Sequence, residues 1–289
     1  PVSTSIPTEI FDATRCILGE GPLWHPERAQ FLWFDINAHQ LLIRDGAKTR
    51  VVQFGEHVSA AGWVDDASIL IASETRLFLF DLDRERSEDV EGLEPDTQTT
   101  RSNDGRADPW GGFWIGTMAK DHAPNGGAIY RYFRGEVRML YPGISIPNAM
   151  CFAPDRSCAY YADTMTKQIM RQSLEPDKGW PDGEPEIFVD LAKQGWHPDG
   201  AVVDAGGTVW CAMFGAGRVV AFAPDGTIEQ EIVCAAPQTT CPAFGGLGLS
   251  TLYCTSAARD MPRDDGVPHG AVFAAPEAGR GQAEHRVKL

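Results

Sequence analysis

Four polar side chains in this sequence could together hold a cation. They are Glu20, Asn103, Asn148 and Asp199, and each lies in a short run rich in glycine or proline. Two carboxylates and two amides that met in one place would repel each other unless a positive charge joined them. Side-chain oxygens suit hard ions such as calcium, magnesium or manganese, with iron(II) possible, whereas zinc usually takes His or Cys. An ion with three protein ligands would keep positions open for water or substrate, as metal catalysis requires.

Each of these residues also has an ordinary explanation. Asn148 after Pro147 could cap a turn, and Glu20 could be a solvated loop acid. Asp199 lies in Pro-Asp-Gly, a common turn sequence. Their interpretation as a site therefore depends on whether the fold brings them together.

Six similar segments recur along the chain at steps of roughly 40–50 residues. Each begins with small or polar residues, continues as an apolar strand, turns at Asp, Gly or Pro, and returns as a strand that often contains aromatic residues. The openings are Gly19-Glu20-Gly21-Pro22, Ser59-Ala60-Ala61-Gly62, Asn103-Asp104-Gly105, Pro147-Asn148-Ala149, Pro198-Asp199-Gly200 and Phe244-Gly245-Gly246.

This repeat predicts an all-β fold, a six-bladed β-propeller with four-stranded antiparallel blades, formed by residues 1–289 as a single domain. Two β-sandwiches would give no reason for six similar openings. We expect residues 1–13, strand-like over 6–11, to pair into the last blade and close the ring, which leaves few exposed strand edges.

A propeller would make the four polar residues neighbours. The innermost strand of each blade lines a central channel, so equivalent positions of different blades meet near one end of it. Glu20, Asn103, Asn148 and Asp199 occupy equivalent openings in four repeats. The fold therefore predicts one concave site with an oxygen-liganded cation.

Composition narrows the possible partners. With 25 Lys and Arg against 40 Asp and Glu, the formal charge is −15, which argues against nucleic acid or an anionic membrane as partner. The sequence shows no secretory signal and no apolar run of membrane-spanning length. Seven cysteines without a C-x-x-C pair suggest buried free thiols in a reducing compartment. We expect a cytoplasmic monomer.

The repeat openings also resemble a known family. GEGPLW (19–24), RSNDGRADPWGGFWIGTM (101–118), PNAMCFAPD (147–155), PDGAVVDAGGTVW (198–210) and CPAFGGLGLSTLYCTSA (241–257) are similar to the senescence-marker-protein, gluconolactonase and regucalcin family. The resemblance covers nearly the whole chain in the same order. It implies a six-bladed propeller that hydrolyses sugar lactones with one divalent metal, which could be Ca, Mn, Fe(II) or Zn.

The resemblance also implies residue roles. Glu20, Asn148 and Asp199 would ligate the metal, and Asp199 would also be the general base. Arg101 and Asn103 would bind substrate oxygens. An acid that follows Gly-Thr-Met would do the same, and here Asp121 stands there, one methylene shorter than the expected Glu.

The implied reaction opens a sugar lactone to its aldonic acid. The substrate would be a pentono- or hexonolactone such as xylonolactone or gluconolactone. Either Asp199 would activate the attacking water, or a metal-bound hydroxide helped by Asp199 would attack the carbonyl carbon. Residues 120–127 could cover the pocket, with Trp196 and Phe244 as apolar walls.

Three other functions remain open at this point. The first is a non-enzymatic calcium-binding regulatory protein on the same propeller. The second is an arylesterase or phosphotriesterase type of hydrolase, although Arg101, Asn103 and Asp121 suit a hydroxylated substrate better. The third is an interaction propeller without a metal, because propellers host all of these activities.

Overall fold

The repeats fold as six antiparallel sheets around a central channel, in a computed structural model that describes residues 4–289. The innermost strand of each sheet contacts that of the next, and the sixth returns to contact the first. The predicted six-bladed propeller is therefore confirmed. The prediction of one domain over residues 1–289 stays a prediction, and residues 1–3 lie outside the described part.

The blades follow one another along the chain, each from its innermost strand outward. Blade one is β3 to β6, blade two β7 to β10, blade three β11 to β14, blade four β15 to β18, blade five β19 to β22, and blade six β23 to β25 followed by β2. The strands are β1 Thr4–Pro7, β2 Glu9–Asp12, β3 Gly19–His25, β4 Gln30–Asp35, β5 Gln40–Asp45, β6 Lys48–Gln53, β7 Val58–Trp63, β8 Ser68–Ser73, β9 Arg76–Asp81, β10 Arg86–Gly92, β11 Thr100–Ala107, β12 Phe113–Ala119, β13 Gly127–Phe133, β14 Glu136–Ile144, β15 Pro147–Phe152, β16 Cys158–Asp163, β17 Gln168–Ser173, β18 Glu186–Asp190, β19 His197–Val203, β20 Val209–Phe214, β21 Arg218–Phe222, β22 Ile228–Val233, β23 Thr239–Gly245, β24 Thr251–Ser256 and β25 Val272–Ala275.

The first two strands close the ring in two different blades. β2 pairs antiparallel with β25 and so completes blade six, as expected for the start of the chain. β1 instead pairs parallel with β22, which gives blade five a fifth strand. The first strands thus fasten the last two blades together.

Each innermost strand has a shift in its pairing register, which in blades one to five lies at the predicted opening. In blade six the shift follows Thr239 and lies at the other end of the strand from the predicted opening at Phe244. The pairing register shifts after Glu20, Val58, Ser102, Asn148, Pro198 and Thr239. A bulge bends a strand locally and re-aims its side chains. The repeated bulge therefore turns the opening residues of several blades toward the channel.

Helical structure is confined, within residues 4–289, to two short 3-10 turns at Thr164–Thr166 and Leu247–Leu249. Over the same residues, no helix has the length and apolarity needed to cross a membrane.

The apolar core of residues 4–289 consists of seven clusters, six of which are each packed between two neighbouring blades. The seventh is smaller and consists of Leu18, Ile36 and Ala257, with Phe214 packed against them. Trp33, Trp114 and Trp210 are among its largest fully buried side chains. All seven cysteines are buried and free, as the sequence suggested. The monomeric state and the cytoplasmic location stay predictions.

Residues 276–289, the closing segment, cross the end of the channel opposite the polar openings. Gln282 Nε2 donates to the backbone carbonyls of Phe152 in blade four and Val203 in blade five, at 3.0 and 2.9 Å. Arg106 of β11 pairs with Glu284 at 2.5 Å, and both side chains are only 10% exposed. The segment thus spans several blades and covers this end of the channel.

We expect removal of residues 282–289 to lower the free energy of unfolding by about 2–4 kcal/mol. The truncation leaves the buried Arg106 guanidinium without its carboxylate, and a buried charge that loses its partner is costly. Urea unfolding of the full chain and the truncated chain measures the difference. Removal of the exposed Leu289 alone is the control. Equal unfolding midpoints for all three chains would show that the closing segment is dispensable.

Candidate metal and substrate site

The polar openings of four blades converge on a cavity at one end of the channel. Its lining residues are Leu18, Glu20, Arg101, Asn103, Met118, His122, Ile146, Asn148, Thr164, Asp199, Phe214 and Arg259. Five of the six residues predicted from the sequence are thus together, drawn from four blades.

Backbone geometry next to Glu20 allows the blades to approach closely. Gly21 has φ +56°, and a Cβ at this position would lie 2.4 Å from the carbonyl oxygen of Ser59 in blade two. Only glycine fits such a contact in this conformation. The Gly-Glu-Gly run therefore places a buried carboxylate at a tight junction between blades one and two.

The amide of Asn148 lies next to the Asp199 carboxyl group. Its Nδ2 donates to Thr164 Oγ1 at 2.8 Å, and Thr164 Oγ1 donates onward to Pro198 O at 2.7 Å. The reversed amide would accept from Thr164 Oγ1 at 2.8 Å and donate to Pro147 O at 3.2 Å and to Asp199 Oδ1 at 3.0 Å. In either orientation an amide atom of Asn148 lies 3.0 Å from Asp199 Oδ1, and the orientation with the oxygen inward would serve a bound cation.

The Asn148 amide and the Asp199 carboxyl group are therefore close enough to ligate one ion. Glu20 and Asp199 are also close enough for their carboxyl groups to share a proton. Buried oxygens at such distances need a proton or a cation to hold them together. The donor set of Glu20, Asn148 and Asp199 thus fits a divalent ion that prefers oxygen ligands.

Asp104 adds a third carboxylate that the sequence analysis did not assign to the site. It directly follows Asn103 in β11, a strand in which every residue is buried, and its Oδ2 accepts from the Met150 N–H at 3.4 Å. Burial raises the pKa of Asp104 to about 6, although Arg106 opposes the rise. The sequence did contain a signal for Asp104, because it stands beside Asn103 in the run Asn103-Asp104-Gly105. In a regular strand, however, these two polar side chains would point to opposite faces.

The carboxyl groups strongly perturb one another. Burial raises the pKa of Glu20 well above its ordinary value, and the charges of Asp199 and Asp104 raise it further. Burial also raises the pKa of Asp199 to about 7. Three carboxyl groups in one dry site cannot all ionise without compensation, and a bound divalent cation would supply it.

Arg101 and Asn103 form the blade-three side of the cavity. Arg101 Nη1 donates to Asn103 Oδ1 at 3.1 Å, and Asn103 Nδ2 donates to Pro147 O at 2.9 Å. Asn103 Nδ2 also lies 3.4 Å from Asn148 Oδ1. Burial, together with the charge of the nearby Arg259, lowers the pKa of Arg101 to about 10. Asn103 thus links the Arg101 guanidinium to the Asn148 amide.

Asp121 is the one predicted residue that does not line the cavity. It is exposed on the loop after β12, and its Oδ1 accepts a hydrogen bond from the Ala123 N–H at 3.0 Å. The next residue, His122, lines the cavity instead and has φ +62°. A turn at this point therefore presents the imidazole, rather than the carboxylate, to the mouth of the site.

The apolar walls also differ from the expected ones. Leu18, Met118, Ile146 and Phe214 line the cavity. Phe244 lines a separate cavity of about 350 Å³ beneath the closing segment, while the expected wall residue Trp196 packs against the core between blades four and five. Arg259, on the segment after β24, is a further lining residue that the sequence analysis missed.

Comparison with known proteins gives consistent matches over most of the chain. The family described as SMP-30/Gluconolactonase/LRE-like region matches residues 18–258. A 6-deoxy-6-sulfogluconolactonase of Pseudomonas putida is 34% identical, with 89% of this chain and 90% of that protein covered. A pentonolactonase of Haloferax volcanii is 32% identical, with 96% and 97% covered. A crystal structure described as a calcium-binding protein, regucalcin, from Agrobacterium tumefaciens is 35% identical, with TM-score 0.96 over 100% of both chains.

Proposed function

Because the chain belongs to the SMP-30/gluconolactonase/LRE-like family, we propose that it opens an aldonolactone to the aldonic acid with one divalent metal ion. The reaction class follows from its relatives: the chain is a hydrolase of lactone esters, as the gluconolactonase and pentonolactonase relatives are by name. The observation that carries the metal proposal is the burial of the Glu20 and Asp199 carboxyl groups in contact with each other, with the Asn148 amide 3.0 Å from Asp199 Oδ1. These three residues would hold the ion.

Asp199 is the proposed general base. When bound, the ion would polarise the lactone carbonyl and offset the charge that develops on its oxygen. Asp199 takes a proton from water as the water oxygen bonds to the carbonyl carbon. The bond between that carbon and the ring oxygen then breaks, and the ring oxygen takes the proton held by Asp199 to become a hydroxyl, which returns Asp199 to its ionised form.

Arg101 and Asn103 are the proposed contacts for sugar oxygens. Their hydrogen bonds to each other and to blade four fix both side chains before substrate arrives, so binding loses little side-chain freedom. His122 and Arg259 face the same cavity. Contact of Asp121 with substrate stays a prediction and would require the loop of residues 120–127 to fold inward.

The substrate is proposed to be a pentono- or hexonolactone. The relatives include a pentonolactonase and a 6-deoxy-6-sulfogluconolactonase by name, so these names support both pentono- and hexonolactones as substrates. They also make a sulfonated sugar lactone worth testing. Acid release from xylono-, arabino-, glucono- and 6-sulfogluconolactone, measured on metal-stripped protein and after separate addition of calcium, manganese, zinc and iron(II), tests the proposal. Metal-dependent ring opening supports it. Equal turnover with and without metal would contradict the metal requirement.

A non-enzymatic calcium-binding role is the second candidate, because the Agrobacterium structure is described as a calcium-binding protein. This role predicts tight calcium binding with no turnover of any lactone in the panel. Turnover that depends on the ion would leave calcium binding as one part of an enzyme.

We expect Glu20→Gln to weaken divalent-metal affinity at least tenfold. The amide keeps the shape but removes a charged ligand oxygen from the buried set. Isothermal titration with the ion that best supports turnover measures the loss. Glu27→Gln, on the exposed turn at the opposite end of the same blade, is the matched control. Unchanged affinity in Glu20→Gln would remove this residue from the ligand set.

A further inference from the structure

A second group of metal-ligating side chains lies where the rims of blades one and two meet. His39 stands in the turn between β4 and β5, His57 precedes β7, and Glu74 follows β8. One potential ligand atom from each residue lies within 4.8 Å of the other two. All three side chains are half-buried. None of them lines the cavity that holds Glu20 and Asp199.

The Glu74 carboxylate is fixed at both oxygens. Its Oε1 accepts from the His57 backbone N–H at 2.9 Å and lies 2.5 Å from His57 Nδ1. Its Oε2 accepts from Lys120 Nζ at 2.7 Å, and Lys120 also donates to Gln98 O at 2.9 Å. Lys120 thus holds the carboxylate oxygen that does not contact His57. At metal sites, residues that hydrogen-bond to a ligand orient it in the same way.

The imidazoles are placed to join this carboxylate. The rings of His39 and His57 meet edge to face, with centroids 4.3 Å apart and planes at 62°. His39 is held in a left-handed turn with φ +58°, and its carbonyl accepts a hydrogen bond from Phe54 N–H at 2.8 Å.

We propose that His39, His57 and Glu74 form a second divalent-metal site that prefers zinc-like ions. Two imidazole nitrogens and one carboxylate oxygen are a frequent zinc set, unlike the all-oxygen set in the channel. Ligand atoms around one tetrahedral zinc ion stand about 3.3 Å apart, so binding draws the three side chains closer than they are in the present structure. The ion would cross-link the rims of blades one and two.

The site is coupled to blade three as well. Lys120 begins the loop that carries His122 at the cavity mouth, and its ammonium rests on Glu74. Glu74 therefore links this group of residues to the base of that loop. The inference does not depend on lactonase activity, because it concerns different residues.

Cobalt(II) is the probe, since nitrogen-containing sites of low coordination number give much stronger visible absorption than all-oxygen six-coordinate sites. Chelator-treated protein is titrated with cobalt, and bound ions are counted. We expect two ions in the wild-type protein, one of them strongly coloured. Asp199→Asn should keep the coloured ion, and His57→Gln should lose it. His197→Gln, at an exposed histidine of blade five, should retain both ions.

A second variant tests whether misfolding, rather than the loss of a ligand, explains the result for His57→Gln. His39→Asn removes the imidazole, and Asn tolerates the left-handed conformation of this turn. It should also lose the coloured ion while it keeps the wild-type melting temperature in the absence of metal. Strong absorption that persists in both histidine variants, or a wild-type protein with no coloured ion, would overturn the proposal.

Discussion

Asp199→Asn is expected to reduce kcat for lactone opening by roughly 10³-fold or more. The substitution removes the proposed base, which is worth about 10²–10⁴ in rate, and it weakens one ligand of the proposed ion. Initial rates of acid release at saturating lactone and saturating metal measure the effect. Saturating metal limits the contribution of lost affinity, so the remaining decrease reports on the base.

The same variant should be at least as stable as the wild-type chain when metal is absent. Asp199 is buried beside Glu20 and Asp104, and a neutral amide relieves the repulsion among these groups. A lower rate together with an equal or higher melting temperature would separate a role in catalysis from a role in folding. This combination is the usual pattern for residues that are strained for the sake of function.

Asp225→Asn provides the matched control for this experiment. Asp225 is an exposed turn residue of the same blade that bonds to Thr227, so its substitution should leave the rate unchanged. If Asp199→Asn kept a rate close to wild type, the assignment of the general base would be wrong.

Arg131→Met is expected to lower the free energy of unfolding by about 3–5 kcal/mol. Arg131 and Asp108 form an ion pair with both side chains fully buried, Nε to Oδ2 at 2.8 Å, and removal of one partner leaves an uncompensated buried charge. Arg131 Nη2 also donates to Lys178 O at 2.7 Å, and its guanidinium lies 4.1 Å from the ring centroid of Phe133. Several contacts are therefore lost together.

The ion pair shapes the hairpin that carries part of the site. Asp108 Oδ1 accepts from the backbone N–H groups of Trp110 and Gly112 at 2.9 and 3.0 Å, which fixes the turn between β11 and β12. This turn lies at the end of blade three remote from Arg101 and Asn103. We therefore expect Arg131→Met to change kcat little at temperatures where the protein stays folded.

Urea unfolding of both proteins measures this loss of stability. Arg138→Met is the control, because the pair of Arg138 with Glu136 has side chains 60% and 65% exposed and such pairs contribute about 0–1 kcal/mol. The double variant with Asp108→Asn should recover part of the loss, since no buried charge is then left alone. Equal destabilisation by Arg131→Met and Arg138→Met would contradict the argument.

Much of the fold follows from local sequence signals. Turn residues, strands of alternating residues and polar openings recur six times, so one supersecondary unit predicts the whole ring. The closing strand was harder to predict, because two short strands before β3 join two different blades, one of them in parallel. Nothing local distinguishes a strand that pairs with blade five from one that pairs with blade six.

The residues of the candidate site were predicted from their positions in the repeat. Glu20, Asn103, Asn148 and Asp199 stand at equivalent openings, and equivalent openings meet in a propeller. The sequence analysis did not assign Asp104 to the site, and in a regular strand its side chain would point away from that of Asn103. The register shift in β11 is set by pairing with β12, which the sequence of β11 does not reveal.

By itself, the sequence determined the strands, the sixfold repeat and the residue types that gather at one end of the channel, because these depend on local patterns. The tertiary structure decided which side chains point into that channel. In the folded chain His122, and not Asp121, lines the cavity, and Arg259 lines it as well. The tertiary structure also placed the closing segment across the other end and set His39, His57 and Glu74 together. These contacts join residues of different loops and blades, and a one-residue shift in register reverses the direction of a side chain.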